Sequence, residues 1–196
     1  ILSIVLSCLS APSAHVAVVA FGDSYTRGSG ASSPDRAWIA SFRAVDNRAV
    51  SGSRIAEQAA LAAAYDGPAT TVFWLTGVND TRAATPPEEA AAALDAGLAA
   101  LAPRRVYLAL CPPLTEAGYA LHGPLWNRGS EEVRLALLSA LADVARQHPH
   151  VVLVDLAGYD PHNTSDLIHP DDEGHAQIAR AFRLAMPAFY LPYVTG

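Results

Sequence analysis

Apolar residues gather along this chain in five short runs, and each run stops at residues that do not continue a strand. Residues 16–21 (Val-Ala-Val-Val-Ala-Phe) stop at Gly22-Asp23-Ser24, and residues 48–50 stop at Ser51-Gly52-Ser53. Residues 70–76, rich in β-branched and aromatic side chains, end in Gly77-Val78-Asn79-Asp80, residues 105–110 end in Cys111-Pro112-Pro113, and residues 151–155 run into a loop. Runs of this length and composition read as buried strands. Between them the apolar spacing lengthens to three and four, which predicts helices over residues 34–45 (Trp38, Ile39, Phe42 and Val45 on one face), 53–65, 85–101, 130–147 and 172–184. Start signals support three of them. Ser53 and Ser130 stand where caps are expected, Glu131 and Glu132 suit a positive first turn, and Thr85-Pro86-Pro87-Glu88 reads as a capping box with proline at the first helical position. Residues 112–129 form the longest irregular stretch.

Strict alternation of strand and helix predicts parallel strands, right-handed crossovers and helices on both faces. The expected fold is therefore α/β, a three-layer α/β/α sandwich around a five-stranded parallel sheet in the flavodoxin-like order 2-1-3-4-5. The chain has 196 residues and reads as a single domain over residues 15–196. Residues 1–14, apolar and small but without a basic start, read as a signal-peptide remnant or as an apolar arm packed on the domain. The first reading makes the protein secreted or periplasmic and the second leaves it cytoplasmic. The run is too short to span a bilayer, so stable membrane insertion is not expected.

Composition removes several functions. The net charge of −6, with Lys and Arg unclustered, argues against a nucleic-acid partner. The two cysteines, Cys8 and Cys111, lie in no metal-binding spacing, so no metal and no cofactor are expected, and a Cys8–Cys111 disulfide stays open. Nothing in the composition sets the oligomeric state.

In a parallel sheet every strand's carboxyl end lies on one edge, where such folds place their reactive groups. That edge collects Ser24, Gly52, Asn79, Asp166 and His169. A serine hydroxyl needs a base, which His169 supplies. The imidazole needs a carboxylate on its other nitrogen, and Asp166 lies three residues earlier. A tetrahedral oxyanion needs fixed donors, which the backbone N–H groups of Ser24 and Gly52 and the amide of Asn79 offer. The competing account, Asp23 and Ser24 as a mere helix cap, explains none of the partners.

Four stretches, Gly22-Asp23-Ser24, Gly52 after residues 47–51, Gly77-Val78-Asn79-Asp80 and Asp166-Leu167-Ile168-His169-Pro170, resemble in order the sequence blocks of the SGNH hydrolases, also called the GDSL lipase/esterase family. The resemblance spans about residues 16–186. It implies Ser24 as nucleophile, His169 as base, Asp166 as its orienting acid, and Ser24, Gly52 and Asn79 as the oxyanion hole. Tyr25 stands where an aliphatic residue is more usual, which makes it a candidate wall of the acyl pocket.

The expected activity is hydrolysis of a carboxylic ester through an acyl-enzyme. Short-chain acyl esters such as O-acetylated glycans are favoured because no connecting segment exceeds about 20 residues, leaving little material for a lid. Lysophospholipase, acyl-thioesterase or acyltransferase activity on the same triad is the alternative, and a non-catalytic carbohydrate-binding domain the weaker one. Trp126 and Tyr119 are read as substrate contacts or as anchors of their long loop. Asp80 is expected to shape its turn, His175 to pack or hydrogen-bond, and Arg82 to lie in solvent, with contact to an anionic substrate group as the alternative. Of the two glycosylation sequons, Asn79-Asp80-Thr81 sits inside the crevice and Asn163-Thr164-Ser165 on a loop.

Overall fold

The computed structural model describes residues 18–187. The elements follow as β1 (Val18–Gly22), α1 (Ser24–Arg27), two 3₁₀ turns (Pro34–Arg36 and Trp38–Ser41), β2 (Val45–Asn47), α2 (Ile55–Ala63), β3 (Thr71–Thr76), α3 (Val78–Ala83) and α4 (Pro87–Leu101). After these come β4 (Arg105–Leu110), α5 (Glu116–Ala120), α6 (Gly123–Trp126), α7 (Glu131–Arg146), β5 (Val151–Val154) and α8 (Asp172–Ala185). The strands form one parallel sheet in the order β2-β1-β3-β4-β5, as the alternation predicts. Residues 1–14, Cys8 and the tail beyond Pro187 lie outside the described residues.

Side chains alternate across the strands and build two cores. Val19, Phe21, Val72, Trp74, Val106 and Leu108 face α2, α4 and α7. Ala20, Phe73, Leu75, Tyr107 and Ala109 face the 3₁₀ turns and α8, through Trp38, Phe42, Ile178 and Phe182. Apolar residues on both faces of a strand are what a covered parallel sheet requires.

Three local expectations are corrected. Residues 34–45 form no α-helix, and the second strand is Val45–Asn47 rather than residues 48–50. Trp38 stacks on Phe182 with centroids 4.5 Å apart, and Phe42 meets Phe73 at 4.8 Å. Burying both rings against the sheet takes two tight turns, and Ala44 at φ 54° ends any helical run and starts β2 opposite Val18. Residues 112–129 contain α5, capped by the Thr115 hydroxyl accepting the Gly118 N–H at 3.2 Å, and α6. Residues 78–83, read as loop, form α3.

The caps also differ in part. Ser130 accepts the Val133 N–H as expected. Thr85 does not cap α4, because its own N–H closes α3 onto the Asp80 carbonyl at 2.9 Å and the helix begins at Pro87. Ser53 does not cap α2 either. Its hydroxyl donates to the Val50 carbonyl at 2.7 Å, and Asp80 takes up the Ile55 N–H instead.

Candidate active site

β1 delivers Ser24 to the carboxyl edge of the sheet as the first residue of α1. The Asp23 carboxylate caps that turn by accepting the Tyr25 N–H at 2.9 Å. The Ser24 N–H, at a helix start, has no intrahelical acceptor. His169 arrives on the loop after β5, and its Nε2 lies 3.1 Å from the Ser24 Oγ. Its Nδ1 lies 2.7 Å from Asp166 Oδ2. The other Asp166 oxygen accepts the backbone N–H groups of His169 at 2.7 Å and Ile168 at 3.1 Å. Burial works to raise the Asp166 carboxyl, but these hydrogen bonds outweigh it and hold it below the ordinary carboxylate range. An ionised Asp166 can only accept, so Nδ1 carries the imidazole proton and Nε2 is left with its lone pair toward the serine.

Three clamps hold the loop after Ser24 to the segment that carries His169. The Tyr25 hydroxyl donates to the Ile168 carbonyl at 2.5 Å. Ser32 donates through both its N–H and its hydroxyl to Asp172, at 2.8 and 2.7 Å. His175 donates Nε2–H to the Ser29 carbonyl at 3.1 Å and accepts the Trp38 N–H at 3.3 Å. Gly30, at φ 92°, lets the two segments touch, since a Cβ there would lie 2.9 Å from that of His169.

The donor side is built at the ends of β2 and β3, the strands flanking β1. Gly52 is exposed, with φ 80°. Asn79, on the first turn of α3, is 5% exposed and its Nδ2 donates to the Ser53 carbonyl at 3.0 Å. The same carbonyl accepts Gln58 Nε2–H, and the Ser53 hydroxyl reaches the Gly22 carbonyl at 3.3 Å. Ser53 therefore links all three strand ends. The sequence reading missed Gln58; its only signal is a polar amide one turn after Ile55, on the inward face of α2.

Other expectations divide. Tyr25 is not a pocket wall: it is fully buried and its hydroxyl is used on Ile168, so it belongs to the core beneath His169. Arg82 is not in solvent; it is 6% exposed, its Nη2 donates to the Leu121 carbonyl at 2.8 Å and its guanidinium lies 5.8 Å from the Trp126 ring centroid. Trp126 is half-buried. Tyr119 anchors its loop, accepting the Leu114 N–H and donating to Glu131. Asp80 is buried and caps α2 rather than its own turn. His175 packs as expected. A cleft of about 670 Å³ opens beside this region, lined by Leu114, Tyr119, Gly129 and Pro161 among others, and no residue of the Ser24 constellation contributes to it.

Among the described residues, no helix is long and apolar enough to cross a membrane, and no group of three or more His, Cys, Asp or Glu is placed to hold a metal ion.

The fold recurs in solved structures. A G-D-S-L family lipolytic protein from Desulfitobacterium hafniense is 18% identical with a TM-score of 0.69, over 87% of this chain and 99% of that one. TesA is 18% identical with a TM-score of 0.67, over 86% and 97%. A carbohydrate acetylesterase family member from Sinorhizobium meliloti is 16% identical with a TM-score of 0.63, over 86% and 96%. At such identities the likeness establishes the fold. No curated protein matches the chain in sequence. Residues 20–177, which carry β2 to β5, part of β1 and the whole Ser24–His169–Asp166 constellation, match the model of the GDSL-like Lipase/Acylhydrolase family, and the chain is accordingly an ester hydrolase belonging to that family.

Proposed function

We propose that Ser24, His169 and Asp166 are the catalytic triad of this hydrolase and that Asn79 Nδ2, with the backbone N–H groups of Ser24 and Gly52, stabilises the oxyanion. The observation that carries the reading is the unbroken relay from Asp166 Oδ2 to His169 Nδ1 at 2.7 Å and from His169 Nε2 to Ser24 Oγ at 3.1 Å. In this mechanism Ser24 Oγ attacks the acyl carbon as its proton passes to His169 Nε2. His169 returns that proton to the departing alkoxide, which leaves as the alcohol. Water then attacks the acyl-enzyme, again giving its proton to His169, and the acid departs with the Ser24 hydroxyl restored.

The favoured substrates are short-chain acyl esters, acetyl esters of glycans among them. Among the described residues the only elements between β4 and α7 are the short α5 and α6, and one structure of similar fold is named as a carbohydrate acetylesterase family member. The test is turnover of a 4-nitrophenyl ester series from acetyl to palmitoyl by the wild type and by Ser24→Ala. Acetyl should turn over fastest, and the variant should lose at least ~10³-fold in kcat. Full turnover in Ser24→Ala refutes the triad, and a palmitoyl optimum refutes the short acyl group.

A further inference from the structure

The Arg82 guanidinium is a cation in an unusual position. Only 6% of the residue is exposed, yet it forms no salt bridge, and among the described residues its Nε has no acceptor. Its partners among the described residues are the Leu121 carbonyl, which takes Nη2–H, and the face of Trp126. Burying a guanidinium without a carboxylate is costly, and holding one carbonyl oxygen needs no charge; a neutral amide would do. The charge therefore calls for another explanation.

Its place supplies one. Arg82 follows Asn79 by three residues on α3, so the two side chains share a face of the helix. The charges of Tyr25 and Asp166 also act on the guanidinium, without a hydrogen bond to either among the described residues, against the burial that lowers its pKa. The segment over it is fixed close: the Arg128 N–H donates to the Arg82 carbonyl at 3.0 Å, and a Cβ on Gly129 would lie 3.0 Å from the Arg82 Cα. Trp126 packs against the guanidinium, whose Nε is enclosed without an acceptor, while Nη1, with no hydrogen bond among the described residues, is its reachable edge. A planar fork with an unused N–H edge suits a compact oxyanion such as carboxylate or phosphate. On a chain of net charge −6, this is a local exception to a field that repels anions.

We infer that Arg82 is a substrate-binding residue for an anionic group, so that this hydrolase prefers esters bearing a carboxylate or phosphate on one half over their neutral counterparts. The inference rests on the Ser24-centred reading above, and it is tested by binding rather than by turnover, so that the two can fail separately.

Ser24→Ala is used as the receptor and affinities are measured by calorimetry. One pair of ligands places the charge on the acyl half: mono(4-nitrophenyl) glutarate against its methyl ester. The other places it on the alcohol half: 4-acetoxybenzoate against its methyl ester. The anionic member of at least one pair should bind about 10- to 100-fold tighter, the range of a charge-assisted hydrogen bond. Adding Arg82→Gln should bring that ratio close to one, and Arg82→Lys, which keeps the charge on a smaller head and secures the fold if glutamine does not, should keep part of it. Competition by glutarate and by inorganic phosphate separates a carboxylate from a phosphate preference. Equal affinity within both pairs, or a preference that survives Arg82→Gln, overturns the proposal. A protein that binds the anionic esters through Arg82 but hydrolyses none refutes the triad reading alone.

Discussion

Gln58 and Asn79 donate to one acceptor, the Ser53 carbonyl oxygen, at 3.1 and 3.0 Å. The orientation of both amides follows from their partners. Trp74 Nε1 can only donate and sits 2.7 Å from Gln58 Oε1, which turns Gln58 Nε2 toward Ser53. A carbonyl can only accept, so Asn79 presents Nδ2 to Ser53 and keeps its second N–H for another partner. The Trp74–Gln58–Ser53–Asn79 chain is buried throughout, and it fixes a donor proposed for catalysis without itself touching substrate.

Gln58→Leu cuts this chain and leaves the Trp74 N–H buried without an acceptor, which should cost about 1–3 kcal/mol of stability. It should also lower kcat about tenfold on 4-nitrophenyl acetate with KM little changed, because an imprecisely held oxyanion donor is felt in the transition state. Trp74→Phe in the same background should recover part of the stability but none of the kcat. If kcat recovers along with stability, Gln58 serves the core alone.

The contrast between Gln58 and Ser24 shows what the sequence could carry. Ser24, Asn79 and His169 follow strands whose apolar runs are plain, Gly52 follows a strand that lies at Val45–Asn47 rather than at residues 48–50, and a parallel sheet gathers such ends whatever its exact register. Arg105–Leu110 and the sheet order were legible for the same reason. Gln58, Tyr25 and Arg82 were not, because their roles depend on which tertiary partner each polar atom meets. The helix expected over residues 34–45 failed in the same way: its spacing fits a helical face, but the Trp38 and Phe42 rings find partners on β3 and α8 that two 3₁₀ turns serve better.

Tyr25→Phe isolates one clamp. The change removes the hydroxyl that holds the Ile168 carbonyl at 2.5 Å and leaves the ring in place. Stability should fall by about 1–3 kcal/mol, since a buried carbonyl loses its donor. Acyl-chain preference should stay as in the wild type, because Tyr25 lies in the core and forms no wall of the crevice. A shift of the acyl optimum in the 4-nitrophenyl series would return Tyr25 to the pocket.

His175 should make the fold sensitive to acid. Its ring accepts the Trp38 N–H at Nδ1 and donates to the Ser29 carbonyl at Nε2, so a second ring proton would face an N–H. Burial above all holds its pKa below the ordinary value of 6.5. The unfolded state therefore binds the proton more readily, and the stability is present above that value and is lost as pH falls below it. Urea unfolding should show the wild type losing more stability between about pH 7.5 and pH 5 than His175→Gln does. Equal losses in the two proteins would place the acid sensitivity elsewhere.

Asp23 acts in the opposite direction. Its carboxyl is fully buried; Oδ1 accepts the Tyr25 N–H, and Oδ2 has no partner among the described residues. Burial, with the nearby Asp80 charge adding to it against the Tyr25 hydrogen bond, raises the pKa from 3.8 to about 7. A raised carboxyl favours folding while it is protonated. Its contribution is complete below the unfolded value and disappears as pH rises through about 7, a loss of up to about 4 kcal/mol. Asparagine keeps an oxygen for Tyr25 and never ionises. Asp23→Asn should therefore gain stability relative to the wild type between pH 5 and pH 8.5, measured by urea midpoint at both values. The two titrations oppose one another: His175 weakens the fold as pH falls below 6.5, and Asp23 weakens it as pH rises from 3.8 to about 7. A constant difference between Asp23→Asn and the wild type across that range would mean that the Asp23 carboxyl is already ionised at pH 5 in the folded protein, so that burial does not raise it.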